Sequence, residues 1–405
     1  MQRRLLFTLV TTFLISNCAP APVQPQSTVP PPQTTVRLTP GYGTDSAMLA
    51  VGVIPVATVH DARRNKDLSI SVDYPIYGGP YPVVIFSHGY GGSRSGYEPL
   101  ADYWTSFGYV VIRPSHADAN VLRDVFENAR MGAVEPRPQG DRGARGGRGT
   151  TPRPAVAAAV AAARSIEDMW EKEREAQWRD RAADVSLVID SLGDLEQRFP
   201  ELRGKMNHAR IGVGGHSYGA FTTMLVAGTK TFSEPPLIVG DPRVTAAVAM
   251  SPQGVSANRG LTPESWKGVT IPMLYMTGSN DNGPVKGEDP AWRRTAYVNS
   301  PPGDKYFVEI EGASHLSFTG RLGTFEQTPR LGDQPRDPMG TGGRGNLADT
   351  SAARPRNATF GGGRNTLRFI RDVSLAFWDT YLKGATKGKD YLEKAGSDVV
   401  RVERK

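Results

Sequence analysis

The pentapeptide Gly215-His216-Ser217-Tyr218-Gly219 constrains this chain more than any other stretch. Three fixed positions in five residues arise often by chance, so its weight comes from its surroundings. Arg210 to Gly214 reads as a strand, and Ser217 to Gly228 reads as a helix that begins with the small residues Ala220, Thr222 and Thr223. A serine on a sharp turn between strand and helix has a strained backbone, and flanking glycines let the two elements approach closely. Such an elbow lifts the hydroxyl clear of a sheet and sets it at a helix N-terminus, where positive potential favours developing negative charge. Ser217 is therefore the candidate nucleophile; the bland alternative is a glycine-rich structural turn.

Around the elbow, strands alternate with helices. Val51–Val59 and Leu68–Tyr74 read as a hairpin, and Val83–Phe86 as a buried central strand. Gly96–Phe107 reads as a helix and Tyr109–Arg113 as the next strand. Gln177–Phe199 is expected to be one amphipathic helix, with Val185, Val188, Ile189 and Leu192 at helical spacing. Val244–Met250, Ile271–Thr277 and Tyr306–Ile310 supply further strands. A helix over Thr366–Lys383, with Asn365 as N-cap and Gly384 at its end, closes the pattern. This alternation predicts an α/β fold with a mostly parallel sheet covered on both faces. A chain of 405 residues could hold one large domain or two small ones. The element order favours a single domain over 41–388, with a C-terminal tail at 389–405. Two insertions are expected in it, at about 117–165 and 320–363. Ala133–Pro154 and Gly320–Gly363 are dominated by Gly, Arg, Pro and Thr, too poor in apolar surface to fold alone. The formal charge of +7 owes its excess arginine mainly to such stretches. No basic helix face emerges, so no nucleic-acid partner is expected.

At the start, Met1-Gln2-Arg3-Arg4 is basic and Leu5–Ile15 is an apolar run too short to span a bilayer comfortably. Ile15-Ser16-Asn17-Cys18 resembles a bacterial lipobox, in which the cysteine is lipidated and becomes the first mature residue; Asn17 departs from the usual small residue. Residues 1–18 are thus expected to be a lipoprotein-type signal, the alternative being an ordinary cleaved signal, and the protein to be exported. It would be anchored to a membrane through Cys18 or secreted. Cys18 is the sole cysteine, which leaves no internal disulfide. The Pro-, Gln- and Thr-rich stretch 19–40 reads as an extended tether.

A serine hydroxyl needs a general base. Where a nucleophile elbow tops such a sheet, the chain order is serine, acid, histidine. One histidine follows Ser217, namely His315, just beyond the last expected strand. Asp281, in Gly278-Ser279-Asn280-Asp281-Asn282 at a strand end, is the natural acid, with Asp289 as the fallback. Asp241 precedes a strand and so lies at the wrong end of the sheet. His216 should point into the scaffold, and His60 and His208 fall in polar loops. His116 either lines the pocket or is a loop residue. Ser87-His88-Gly89-Tyr90-Gly91-Gly92 follows the strand ending at Phe86, where the backbone can offer an N–H to an oxyanion. The donors would be the N–H groups of Tyr90 and Tyr218, with the Tyr90 ring as one wall of the acyl site. Neither metal-ligand spacing nor a phosphate or dinucleotide loop is present in the sequence, so no metal and no cofactor are expected.

The stretch Pro82–Pro114, the segment from Trp178-Arg179 through Ile189, the elbow, and Asp304–Phe318 together resemble one branch of the α/β-hydrolases. That branch holds the platelet-activating-factor acetylhydrolases, the dienelactone-hydrolase-like proteins and the cutinase-like polyesterases. The resemblance covers most of Val51–Lys383 apart from the insertions. It implies the α/β-hydrolase fold, a triad of Ser217, Asp281 and His315, and Tyr90 and Tyr218 as oxyanion donors. True dienelactone hydrolases use a cysteine, whereas Ser217 occupies the elbow here. Cutinase-like enzymes carry an aromatic after the Ser-Pro or Thr-Pro that follows the next strand, whereas Ser251-Pro252 is followed here by Gln253-Gly254. The expected activity is serine-dependent hydrolysis of carboxylic esters, with small, lipid or polymeric esters as substrates and a monomer as the working unit. The rivals are a peptidase or amidase using the same triad, and a surface-anchored binding protein on a hydrolase scaffold.

Overall fold

In this computed structural model the described residues are 41–43, 48–124, 164, 168, 174–233, 235–283, 287–319, 364–394 and 400–405. The signal and tether with Cys18, the stretches Ala133–Pro154 and Gly320–Gly363, and the Asn365 side chain lie outside them.

The strands are β1 Val51–Asp61, β2 Lys66–Pro75, β3 Tyr81–Ser87, β4 Val110–Ser115, β5 Met206–His216, β6 Val244–Met250, β7 Met273–Asn280, β8 Lys305–Ser314 and β9 Val400–Arg404. They form one sheet in the order β1-β2-β4-β3-β5-β6-β7-β8-β9. The pairs from β4 through β8 are parallel, while β1, β2 and β9 run antiparallel at the two edges. The helices are α1 Glu98–Ser106, α2 Arg174–Asp190, α3 Leu192–Arg198, α4 Tyr218–Val226, α5 Pro290–Asn299, α6 Arg364–Lys383 and α7 Thr386–Lys394.

Successive residues of the central strands are buried on opposite faces. Val84, Phe86, Val248 and Met276 pack with Trp104 of α1 and Trp378 of α6. Val83, Ile85 and Val213 pack with Val185 and Val188 of α2, and Ala247, Ala249 and Tyr275 with Phe221 of α4. Burial on both faces explains why these strands read as continuous apolar runs. After β3 the chain steps outward to β4 and then crosses back to β5. The crevice between the carboxyl ends of β3 and β5 is thus a topological switch point, where open α/β sheets place their sites.

Four local readings are corrected. The expected helix 177–199 is two helices that meet at Ser191, where the N–H is shared between the Leu187 and Val188 carbonyls at 3.0 and 3.2 Å and the hydroxyl also donates to the Leu187 carbonyl at 2.8 Å. Residues 389–405 are not a tail: most of α7 lies there, and β9 pairs with β8 from Tyr306↔Arg404 to Ile310↔Val400. Asp289 is not a candidate acid but the N-cap of α5, its carboxylate accepting from the Trp292 N–H at 2.7 Å with Pro290 following. His60 and His208 lie within β1 and β5 rather than in loops.

Candidate active site

Ser217 lies between β5 and α4 with φ 56° and ψ −116°, in a region that side chains rarely occupy. Its N–H donates to the Met250 carbonyl at 2.9 Å, which ties the turn to the end of β6. The flanking glycines are sterically required. A Cβ on Gly215 would lie 2.3 Å from the Gly219 oxygen, and one on Gly219 would lie 1.9 Å from the Ser87 oxygen. The elbow therefore presses directly on the end of β3.

His315 arrives from β8, which runs past its expected end at Ile310 to Ser314. Between β7 and β8 the register changes, so that Gly278 faces Ile310 but Asn280 faces Ser314. Gly312, with φ 74°, lies in the extra residues on β8. The bulge re-aims the end of the strand, as bulges beside sites commonly do. His315 Nε2 lies 2.9 Å from Ser217 Oγ, and its Nδ1 lies 2.8 Å from Asp281 Oδ1. Asp281 is fully buried, while the His315 side chain keeps 20% of its surface exposed. Thr277 Oγ1 donates to Asp281 Oδ2 at 2.9 Å. Burial alone would push the Asp281 carboxyl up. The hydrogen bond from His315 and the Arg293 charge outweigh it and hold the group well below the ordinary carboxylate range. Asp281 is thus an acceptor for Nδ1–H, which leaves Nε2 free to accept from Ser217.

Three further side chains have no role in the sequence reading. Arg293, on α5, contacts Asp281 Oδ1 at 3.1 Å and donates to the carbonyls of Ser251 and Pro252 at 3.1 and 2.9 Å. It went unread because α5 itself did. The Gln253 amide donates to the Ser217 carbonyl at 3.0 Å, so the residue found in place of an aromatic braces the elbow. Tyr97 accepts from the Gly89 N–H at 3.1 Å and meets His216 Nδ1 at 2.9 Å. His216 Nε2 in turn donates to the His315 carbonyl at 2.8 Å. Burial, reinforced by the neighbouring His315, pushes the His216 pKa well down, which agrees with a neutral ring having one donor and one acceptor. His216 does point into the scaffold, and there it links the loop after β3 to the base.

Tyr90 and Tyr218 meet edge-on with ring centroids 6.0 Å apart, and Gly89 approaches Ser217 so that its Cβ would lie 3.5 Å from that of the serine. The loop after β3, the first residue of α4 and Ser217 therefore converge. His116 neither lines the site nor sits in an open loop; it is buried beneath it at 2% exposure. Among the described residues no group of histidine, cysteine and carboxylate side chains could hold a metal ion.

The switch-point sheet and the elbow with its facing histidine define the α/β-hydrolase fold. A family model described as "Platelet-activating factor acetylhydrolase, isoform II" matches residues 57–235. The platelet-activating factor acetylhydrolase of Cavia porcellus is 22% identical over 187 residues, 43% of this chain and 36% of that protein. The chain spans about a third of the length of this curated relative. A ferulic acid esterase from Streptomyces cinnamoneus overlays with a TM-score of 0.49 at 18% identity, covering 83% of this chain and 91% of that one. The likeness to the acetylhydrolase branch is thus found in the sequence, over the segment that carries the loop after β3 and the elbow.

Proposed function

We propose that this protein is a serine carboxylic ester hydrolase working through an acyl-enzyme. One observation carries the reading: on a strained elbow, Ser217, His315 and Asp281 are joined by hydrogen bonds of 2.9 and 2.8 Å. His315 Nε2 takes the Ser217 proton as Oγ attacks the ester carbonyl, and Asp281 stabilises the imidazolium that forms. The oxyanion sits against the N–H groups of Tyr90 and Tyr218, each such donor being worth about 10²–10³ in rate. His315 then protonates the leaving alkoxide. In the second half it takes a proton from water, whose oxygen attacks the acyl carbon, and returns that proton to Ser217 Oγ as the carboxylic acid leaves.

The acetylhydrolase relative makes short acyl groups the first to try, with lipid esters and polyesters behind them. Export, with anchoring through Cys18, belongs to the same reading and rests on the N-terminal sequence alone.

The test is a p-nitrophenyl ester series of increasing acyl length on wild type and Ser217→Ala, with fluorophosphonate labelling. Ser217→Ala and His315→Ala should each cost several orders of magnitude, with the double variant little worse than either. Labelling at another serine, with Ser217 unmodified, would overturn the assignment. Turnover of amides in preference to matched esters would favour a peptidase or amidase.

A further inference from the structure

Beneath the loop after β3 lies a second serine–histidine–aspartate set. Ser87 Oγ is 2.8 Å from His116 Nε2, and His116 Nδ1 is 2.9 Å from Asp184 Oδ2. All three are buried, at 3% exposure or less. Ser87 ends an extended strand rather than an elbow, and its oxygen also accepts from Arg181 Nη1 at 3.3 Å. With no exposed hydroxyl this set cannot reach a substrate, so its buried polar groups call for another explanation.

Arg181 supplies it. Its Nε and Nη2 grip Asp118 at 2.9 and 2.8 Å, and its Nη1 donates to the His88 carbonyl at 2.9 Å. Asp118 Oδ2 accepts in turn from the Gly91 N–H at 3.0 Å. The pair thus holds the main chain on both sides of Tyr90: the carbonyl two residues before it and the N–H directly after it. The guanidinium also lies 4.2 Å from the centre of the Tyr218 ring, in cation–π range. One buried side chain therefore touches both segments that carry the proposed oxyanion donors. His116 adds a third support, its N–H donating to His88 Nε2 at 3.0 Å.

We propose that Arg181, locked by Asp118, is the positioning residue of the oxyanion hole. It sets the spacing between the Tyr90 and Tyr218 N–H groups, and the Ser87–His116–Asp184 set is the strut that backs it. This rests on the ester-hydrolase reading above. A planar, bidentate donor is required, because lysine cannot grip Asp118 with two parallel bonds while bonding the His88 carbonyl and stacking on Tyr218.

The test compares wild type with Arg181→Lys, Arg181→Met and the isosteric Asp118→Asn. Rates for p-nitrophenyl acetate are normalised to the sites titrated by a fluorophosphonate. A trifluoromethyl ketone, which adds to the serine hydroxyl and seats an oxyanion, is the second probe. Arg181→Lys and Arg181→Met should lose about 10²–10³ in kcat per titrated site with KM within a few-fold, the scale of one misplaced donor. Ketone affinity should fall in the same proportion as kcat/KM. Asp118→Asn, which keeps the shape and weakens the grip, should lose about tenfold. A merely structural role would lower Tm and the number of titrated sites, leaving kcat per site and ketone affinity unchanged. That result in any folded variant, Asp118→Asn included, overturns the proposal. A wild-type chain inert toward esters and unlabelled at Ser217 overturns the ester-hydrolase reading and this role with it.

Discussion

Gly219→Ala tests how tightly the elbow is coupled to the loop after β3. A Cβ at this position would lie 1.9 Å from the Ser87 oxygen, 2.6 Å from the Ser87 carbonyl carbon and 2.7 Å from the His88 oxygen. All three are main-chain atoms, so no side chain can swing aside. To reach the 3.0 Å below which real contacts are essentially never found, the N-terminus of α4 and the end of β3 must separate by about 1 Å. The first carries the Tyr218 N–H and the second leads into the loop that holds the Tyr90 N–H, and oxyanion donors act over a window of about 2.7–3.1 Å. A displacement of that size should cost roughly 10²-fold in kcat, with KM little changed, since the donors act on the oxyanion that forms in the transition state. Overpacking should also remove about 1–3 kcal/mol of stability. Steady-state kinetics at 20 °C with a thermal melt reads both quantities. Gly193→Ala in α3, where nothing lies within 4 Å of the new Cβ, is the control and should gain up to about 1 kcal/mol. Gly219→Ala with kcat within threefold of wild type would show that the loop and the elbow are not coupled through this contact.

Arg293→Met should cost about 3–5 kcal/mol, the usual result of leaving one half of a buried pair, here Asp281, without its cation. Because His315 and Thr277 still bond the carboxylate, kcat in the cold should stay within about tenfold of wild type. Denaturant melts and kinetics at 10 °C separate the two effects, and a kcat loss as deep as that of His315→Ala would make Arg293 part of the reacting set. Cys18→Ser should abolish radiolabelled-lipid incorporation and move the protein from the membrane fraction to the soluble one. Unchanged membrane association would place the anchor elsewhere.

What was legible in the sequence followed from short-range necessity. Gly215, Ser217 and Gly219 announce themselves because only that residue set permits the turn, and His315 because no other histidine follows Ser217. Asp281 was readable from its place at a strand end. The supports were not. Arg181, Asp118 and Arg293 come from α2, the loop after β4 and α5, and nothing local distinguishes a buried arginine that grips main-chain carbonyls from a solvated one. The Asp289-Pro290 pair does hold a local signal, an N-cap followed by proline at the first helical position, although a carboxylate between the nucleophile and the base also fits the order of a triad acid. β9 went unread because its five residues bury only Val400 and carry charges that find partners elsewhere in the fold, as Glu403 does with Arg294. The bulge that extends β8 to His315 depends on pairing with β7, which no single segment encodes.

The buried histidines carry a consequence for stability in acid. His88, His116 and His216 are each at 3% exposure or less, and each already has both ring nitrogens engaged. Burial, aided by the Arg181 charge beside the first two and by His315 beside the third, pushes all three pKa values down, and those of His88 and His216 well below the ordinary value. In the unfolded chain these rings take up protons near pH 6.5, whereas the folded protein refuses them. The unfolded state then binds more protons than the native one, so stability rises with pH and is lost as pH falls below about 6.5. For His88 and His216 together the slope should approach that of two protons, on the order of 3 kcal/mol per pH unit. The depressed carboxylates Asp118, Asp184 and Asp281 act in the same direction, but only below about pH 4, where the unfolded chain begins to protonate them. Between pH 6.5 and 5 the imidazoles therefore dominate, partly offset by Asp73, whose carboxyl burial pushes up to about 6 and which binds its proton in the fold before the unfolded chain does. Urea unfolding across pH 8 to 5 should give a plateau above pH 7 and a net fall of a few kcal/mol by pH 5. His216→Asn should lower the plateau yet reduce the slope by one proton, because the cost of keeping that ring neutral disappears with it. A free energy of unfolding that stays level from pH 8 to 5 would mean that these rings accept protons in the fold in spite of their burial.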